Sequence, residues 1–254
     1  MEEYYEFSIG DHREMNKMGL DTFCFDKDNI LDHPVDKLID SLHAQVEKCL
    51  SGQKEVEIQI DSKKQLKETE WQDLEMQRIS FIEDVYYIEN ELNALYEIKI
   101  IYAFKHLETN IKKLLSAAYN DKTVNKQFNW EKLITYLKSK KIDHKSIESY
   151  SPVNELRLVN NTIKHSGDLS DQTLNGIPEF KEVASKTDYK ILHEFYDRIK
   201  NAPLKFLEDL SGKVYSHLYE YSEERIEKMA ESIALRMNKE DAVNLITKVS
   251  NHYK

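Results

Sequence analysis

The sequence is short of the residues that staple, kink or punctuate a fold. Its 254 residues contain two cysteines, Cys24 and Cys49, with no CxxC pair and no Cys/His cluster. That argues against a disulfide framework and structural zinc, and fits a reducing, cytoplasmic compartment. Six glycines and four prolines, set against abundant Leu, Ile, Lys and Glu, leave little room for sheet and predict a mostly helical chain. No stretch approaches the roughly 18 uncharged apolar residues of a membrane span. The N-terminal "MEEYYEFSIG" is acidic and lacks the basic start and apolar run of a signal peptide, so a soluble protein with no membrane partner is expected. Basic charge is also scarce: the net charge is -10, and lysines and acids interleave rather than forming blocks. That argues against a broad basic surface for nonspecific nucleic-acid binding; "LKSKKIDHK" is one local patch, read more readily as a solvated helix end than as a basic cleft. Glycine-rich phosphate loops, nucleophile elbows, HExxH and repeated ExxH motifs are missing, and no metal or cofactor is expected.

What is present is helical periodicity. The first 33 residues are aromatic and aperiodic, which predicts an irregular arm. "HPVDKLIDSLHAQVEKCLSG" then predicts a first helix, with Pro34 near its start, Leu38, Leu42, Val46 and Leu50 at every fourth position, and Gly52 as its stop. "EVEIQI" alternates and predicts a lone short strand. In the centre, Phe81, Val85, Ile88, Leu92 and Leu95 form one apolar seam, and Ile100, Phe104, Leu107, Ile111, Leu114 and Ala118 another. They predict a long helix or two nearly collinear ones, covered by more than one neighbour around "YEIKIIYAF". Glu97 in that segment needs a partner if buried, and Arg157 is one option. "WEKLITYLKSK" predicts a short helix, "SGDLSDQTLNGIPEF" a loop, and the segment from Asp188 a helix pair broken at Pro203. Two tail helices follow, with Ser222 and Asn238 as N-caps. The expected organisation is an N-terminal arm and first helix (1–60), a helical domain (61–220) and a C-terminal helical extension (221–254), an all-α bundle built on the long central helix or helix pair.

The least ordinary stretch is "SPVNELRLVNNTIKHSG". Ser151 and Pro152 make a helix start and Gly167 a stop. At about 100° per residue, Val153, Leu156, Val159 and Ile163 gather on a core-facing side. Asn154, Leu158, Asn161 and His165 line a second stripe, flanked by Arg157 and Lys164. Lysine and histidine in a last turn suit the helix dipole without any function, and asparagine is at ease on a solvated face. Yet asparagine is a poor helix former, and three within eight positions argue for a hydrogen-bonded surface against a partner helix or ligand.

The long helix, the short connecting helix and then "ELRLVNNTIKHS" resemble the helical HEPN domains (higher eukaryotes and prokaryotes nucleotide-binding) over roughly residues 80 to 220. The family hallmark is an arginine, usually followed by a polar residue such as Asn, with four to six residues before a histidine. With His165 as that histidine and four residues between, Asn160 stands at the arginine position; taking Arg157 instead leaves seven residues between, with Leu158 where the polar residue is expected. The resemblance implies a homodimer and a metal-independent endoribonuclease of toxin or antiphage-defence type, leaving a 2',3'-cyclic phosphate on its RNA substrate. His165 would be the acid/base, Arg157 and Lys164 would bind phosphate, Asn161 would orient the histidine or ribose, and Asn154 and Asn160 would contact substrate. The alternative is a catalytically inactive relative, a dimerising helical module that uses the Asn/His stripe as its interface and binds a cognate protein partner or a nucleotide. The chain's acidity and displaced arginine favour that alternative.

Overall fold

A computed structural model describes residues 8–21, 32–62, 67–126, 129–165, 175–181 and 188–253. The fold is an all-α bundle, and no strand occurs among the described residues. Its helices are α1 (Ile9–Asp21), α2 (Asp32–Ser62), α3 (Glu68–Tyr119), α4 (Trp130–Ser139), α5 (Tyr150–His165), α6 (Tyr189–Ile199), α7 (Ala202–Tyr219), α8 (Glu223–Ala234) and α9 (Lys239–Asn251). They cluster into two compact units that interleave along the chain. One takes α2, α3 to Glu108, α5 from Ser151 and α6; the other takes α1, α3 from Thr109, α4, α7 from Leu204, α8 and α9.

The central helix α3 is continuous, as one 52-residue element, and its stretch to Glu108 belongs to the first unit. Leu92, Ile100 and Leu107 are wholly buried along it, on the predicted seams. Around "YEIKIIYAF", Tyr96, Lys99, Ile100, Ala103 and Phe104 are buried, and α3 meets both α2 and α6 there. The first helix differs from expectation in three ways. It runs through Gly52 and the "EVEIQI" segment to Ser62, so the strand is not formed. A lone strand would leave its N–H and C=O groups without a ladder, whereas a helix pairs them internally. Nor is Gly52 a stop: a Cβ there would lie 2.5 Å from the Phe81 ring, so glycine serves the close approach of α2 and α3. The buried stripe of α2 is Val35, Ile39 and Val56, while Leu38 is 55% exposed. Steps of four advance about 400°, so the stripe read as Leu38, Leu42, Val46 and Leu50 drifts about 40° per step off the core.

In the second unit Leu114, Leu115, Val124, Leu133, Leu137, Phe206, Leu210 and Val214 form the core. Part of the stretch read as an irregular arm is the helix α1, whose Leu20 is buried and whose Leu20 carbonyl accepts a 3.1 Å hydrogen bond from Ser211. Asn120 and Lys141 end α3 and α4 with φ of 48° and 59°, taking left-handed positions that glycine-rich chains give to glycine. The Ser222 hydroxyl and the Asn238 amide oxygen cap α8 and α9 as predicted, accepting from the backbone N–H of Arg225 and Asp241. The break between α6 and α7 falls at Lys200–Asn201, just ahead of Pro203.

Candidate functional site

Helix α5 starts at Tyr150, after Ser149 with φ 59°, one residue before the expected Ser151. Its expected stop, Gly167, lies outside the described residues, as does most of the loop that follows. Val153, Leu156 and Val159 are wholly buried and fix the rotation of the helix. That rotation leaves Asn161, Lys164 and His165 exposed, with Asn154, Arg157 and Leu158 half-buried. Ion pairs reinforce it from the flank, where the Arg198 guanidinium of α6 bridges Glu155, at 2.8 Å, and Glu179. Those carboxylates raise the Arg198 pKa and keep its charge fixed.

The side chains divide into two groups. Arg157 Nε and Nη2 both donate to Asn154 Oδ1, at 3.1 and 3.0 Å, so the guanidinium is drawn toward the N-terminal end of α5. Two of its five N–H donors are thus used, and three remain. At the other end, His165 makes no hydrogen bond among the described residues, and Lys164 stands beside it. Arg157 and His165 are separated by about 12 Å along the axis. A single copy of α5 therefore does not bring them onto one phosphate.

Asn160 lies apart from the residues it was grouped with. It is 1% exposed, on the face of Val153 and Leu156, and its amide nitrogen donates to Asn161 Oδ1 at 3.1 Å. Its own Oδ1 is buried with no hydrogen-bond partner among the described residues. A buried carbonyl left unpaired costs on the order of 1–3 kcal/mol. Asn160 cannot contact a substrate in this arrangement, and the spacing shows why: it stands seven residues after Val153 and four after Leu156, a core position.

Sequence reasoning missed a polar network in the same unit. The buried group in "LYEIKII" that holds a charge partner is Lys99, not Glu97. Lys99 Nζ lies 2.5 Å from Asp36 Oδ1 and 4.5 Å from the centre of the Tyr196 ring. The Tyr196 hydroxyl in turn donates to Asp32, at 2.7 and 2.8 Å from its two oxygens. Burial pushes the Asp32 carboxyl above its usual range, against the opposing pull of that hydrogen bond and of Lys99. The network ties the start of α2 to α3 and α6. Glu97 is raised by burial alone, and Arg157 is not its partner. A charge in an apolar run was the available signal, but the periodicity placing residue 99 inward one step before Ile100 was needed to choose between the two.

The fold and the α5 stripe define an all-α protein with a polar helix end facing solvent. No known family, curated protein or solved structure matches the chain.

Proposed function

We propose that the chain is a HEPN-like protein acting as a homodimeric, metal-independent endoribonuclease of toxin or antiphage-defence type, with each site assembled from two copies of α5. The observation that carries this reading is the separation on α5 itself: exposed His165 with Lys164 and Asn161 at one end, and Arg157 held by Asn154 at the other. A second copy running antiparallel brings His165 of one against Arg157 of the other.

In such a site the imidazole of His165 takes the proton of the ribose 2'-hydroxyl, and the 2'-oxygen attacks phosphorus. The 5'-oxygen leaves with a proton from an imidazolium, giving a 2',3'-cyclic phosphate and a free 5'-hydroxyl. Arg157 and Lys164 balance the charge growing on the non-bridging oxygens, which is what fixed N–H donors do best. Asn161 orients the histidine or the ribose. His165→Ala is expected to lower cleavage of RNA by the purified chain by about 10²-fold or more, with chelator leaving the wild-type rate unchanged. Unchanged cleavage in His165→Ala would overturn the assignment.

One observation favours a second reading. Asn160, which stands at the family arginine position with four residues before His165, is buried and uncharged, and half-buried Leu158 lies in the middle of the stripe. On that reading the stripe is a dimerisation or partner-docking face without catalysis. Loss of the dimer in Leu158→Asp, with no cleavage by the wild-type protein, supports it over the nuclease.

A further inference from the structure

The turn from α7 to α8 and the segment following α4 wall a cleft of about 680 Å³. Lys141, His217, Arg225 and Lys228 line it, with Met229 and Ile233 supplying apolar wall. Its size falls within the roughly 300–1,000 Å³ typical of small-molecule sites. In a chain of net charge -10, three fixed cations on one small cleft are a local reversal of sign. The single carboxylate that lines it, Glu224, is paired with Lys228 at 2.5 Å. We propose that this cleft binds a small organic phosphate, its phosphoryl group held by Lys141, Arg225 and Lys228 and an apolar end packed on Met229 and Ile233.

Three features of the cleft support that ligand. The Arg225 guanidinium is held in place before any ligand arrives: Nη1 donates to the Glu220 carbonyl at 2.7 Å, and the group lies 4.2 Å from the centre of the Tyr221 ring. Nε and Nη2 make no hydrogen bond among the described residues, which leaves the fork that suits a phosphoryl oxygen pair. Lys141 is presented from a left-handed turn, at φ 59°, rather than from a helix face. His217, bonded to the Tyr119 hydroxyl at 2.9 Å, is held below histidine's usual range by burial and by the positive charges of Arg225, Lys140 and Lys141. Three cations against one carboxylate on its wall give the cleft a positive balance that suits an anion.

Titration of the labelled full-length chain with phenyl phosphate, inorganic phosphate and phenol, followed by NMR, tests the assignment. Phenyl phosphate is expected to shift the backbone signals of Arg225, Lys228 and Met229 and to raise the titration midpoint of His217, binding more tightly than inorganic phosphate. Lys141→Gln with Lys228→Gln, both at exposed positions, weakens that binding about tenfold or more. Lys190→Gln, on α6, leaves it unchanged. The proposal is overturned if phenyl phosphate leaves these signals in place, if phenol binds equally well, or if the double variant binds like wild type. None of these outcomes depends on RNA cleavage.

Discussion

Two histidines, His165 and His217, mark two unlike regions of the molecule. His165 is exposed at the end of a helix and makes no hydrogen bond among the described residues. His217 is half-buried, bonded to Tyr119 and close to cations drawn from two segments of the chain, Lys140 with Lys141 and Arg225. The α5 region is made of residues close together in sequence, with its arginine and histidine at opposite ends of the polar stripe. The α7–α8 cleft is made of dispersed residues and is complete in one copy. A linear motif thus declares its residue types before its geometry, whereas a cleft has geometry first and declares nothing in sequence.

The largest effect should come from the packing beneath the α5 stripe. Leu156→Ala removes a wholly buried side chain and is expected to cost about 2–5 kcal/mol in urea unfolding. Met229→Ala, at a 47% exposed wall of the cleft, should change stability by less than about 0.5 kcal/mol. Equal costs would erase the contrast between a stripe that depends on its core face and a cleft that does not. Next is the division within α5. Asn160→Asp places a charge where the amide oxygen has no partner among the described residues and replaces the nitrogen that donates to Asn161, and should cost about 3 kcal/mol. Asn161→Asp, on the exposed side, should fall within about 0.5 kcal/mol of wild type. If the two cost the same, Asn160 is not on the buried face.

The smallest effect is the pH dependence, and it belongs to the cleft. The folded-state pKa of His217 lies below its unfolded value, so the unfolded chain takes up that proton more readily. The stability held by neutral His217 is full above about pH 6.5, the ordinary histidine value, and is lost as pH falls from there through the folded pKa. Buried His144 shifts in the same direction, also mainly by burial. His217→Gln should flatten, without abolishing, the decline of stability below that pH. An unaltered profile would show that His217 is not held neutral.

Much of the fold was legible because helical seams are local. The spacings of Leu92, Ile100, Leu107, Ile111 and Leu114 place them inside one long helix, and the caps at Ser222 and Asn238 follow from single side chains. What was not legible depends on neighbours. Gly52 reads as a stop until Phe81 is seen lying against it. "EVEIQI" alternates like a strand, but the alternation cannot report that no partner strand exists to pair its backbone. On α5, the Arg/His motif spacing drew Asn160 into the set of substrate contacts although its spacing from Leu156 assigned it to the core. Lys99 was overlooked in favour of Glu97 because both stand in the same apolar run, and only Asp36 and Tyr196, from distant helices, distinguish them.

Mixing His165→Ala and Arg157→Ala protomers tests most directly whether the α5 site is shared between two copies. Each variant alone should be inactive on RNA, and their mixture should recover a substantial part of the wild-type rate, because a heterodimer keeps one intact His165–Arg157 pair. A mixture as inactive as its components, under conditions in which subunits exchange, would contradict a site shared between copies.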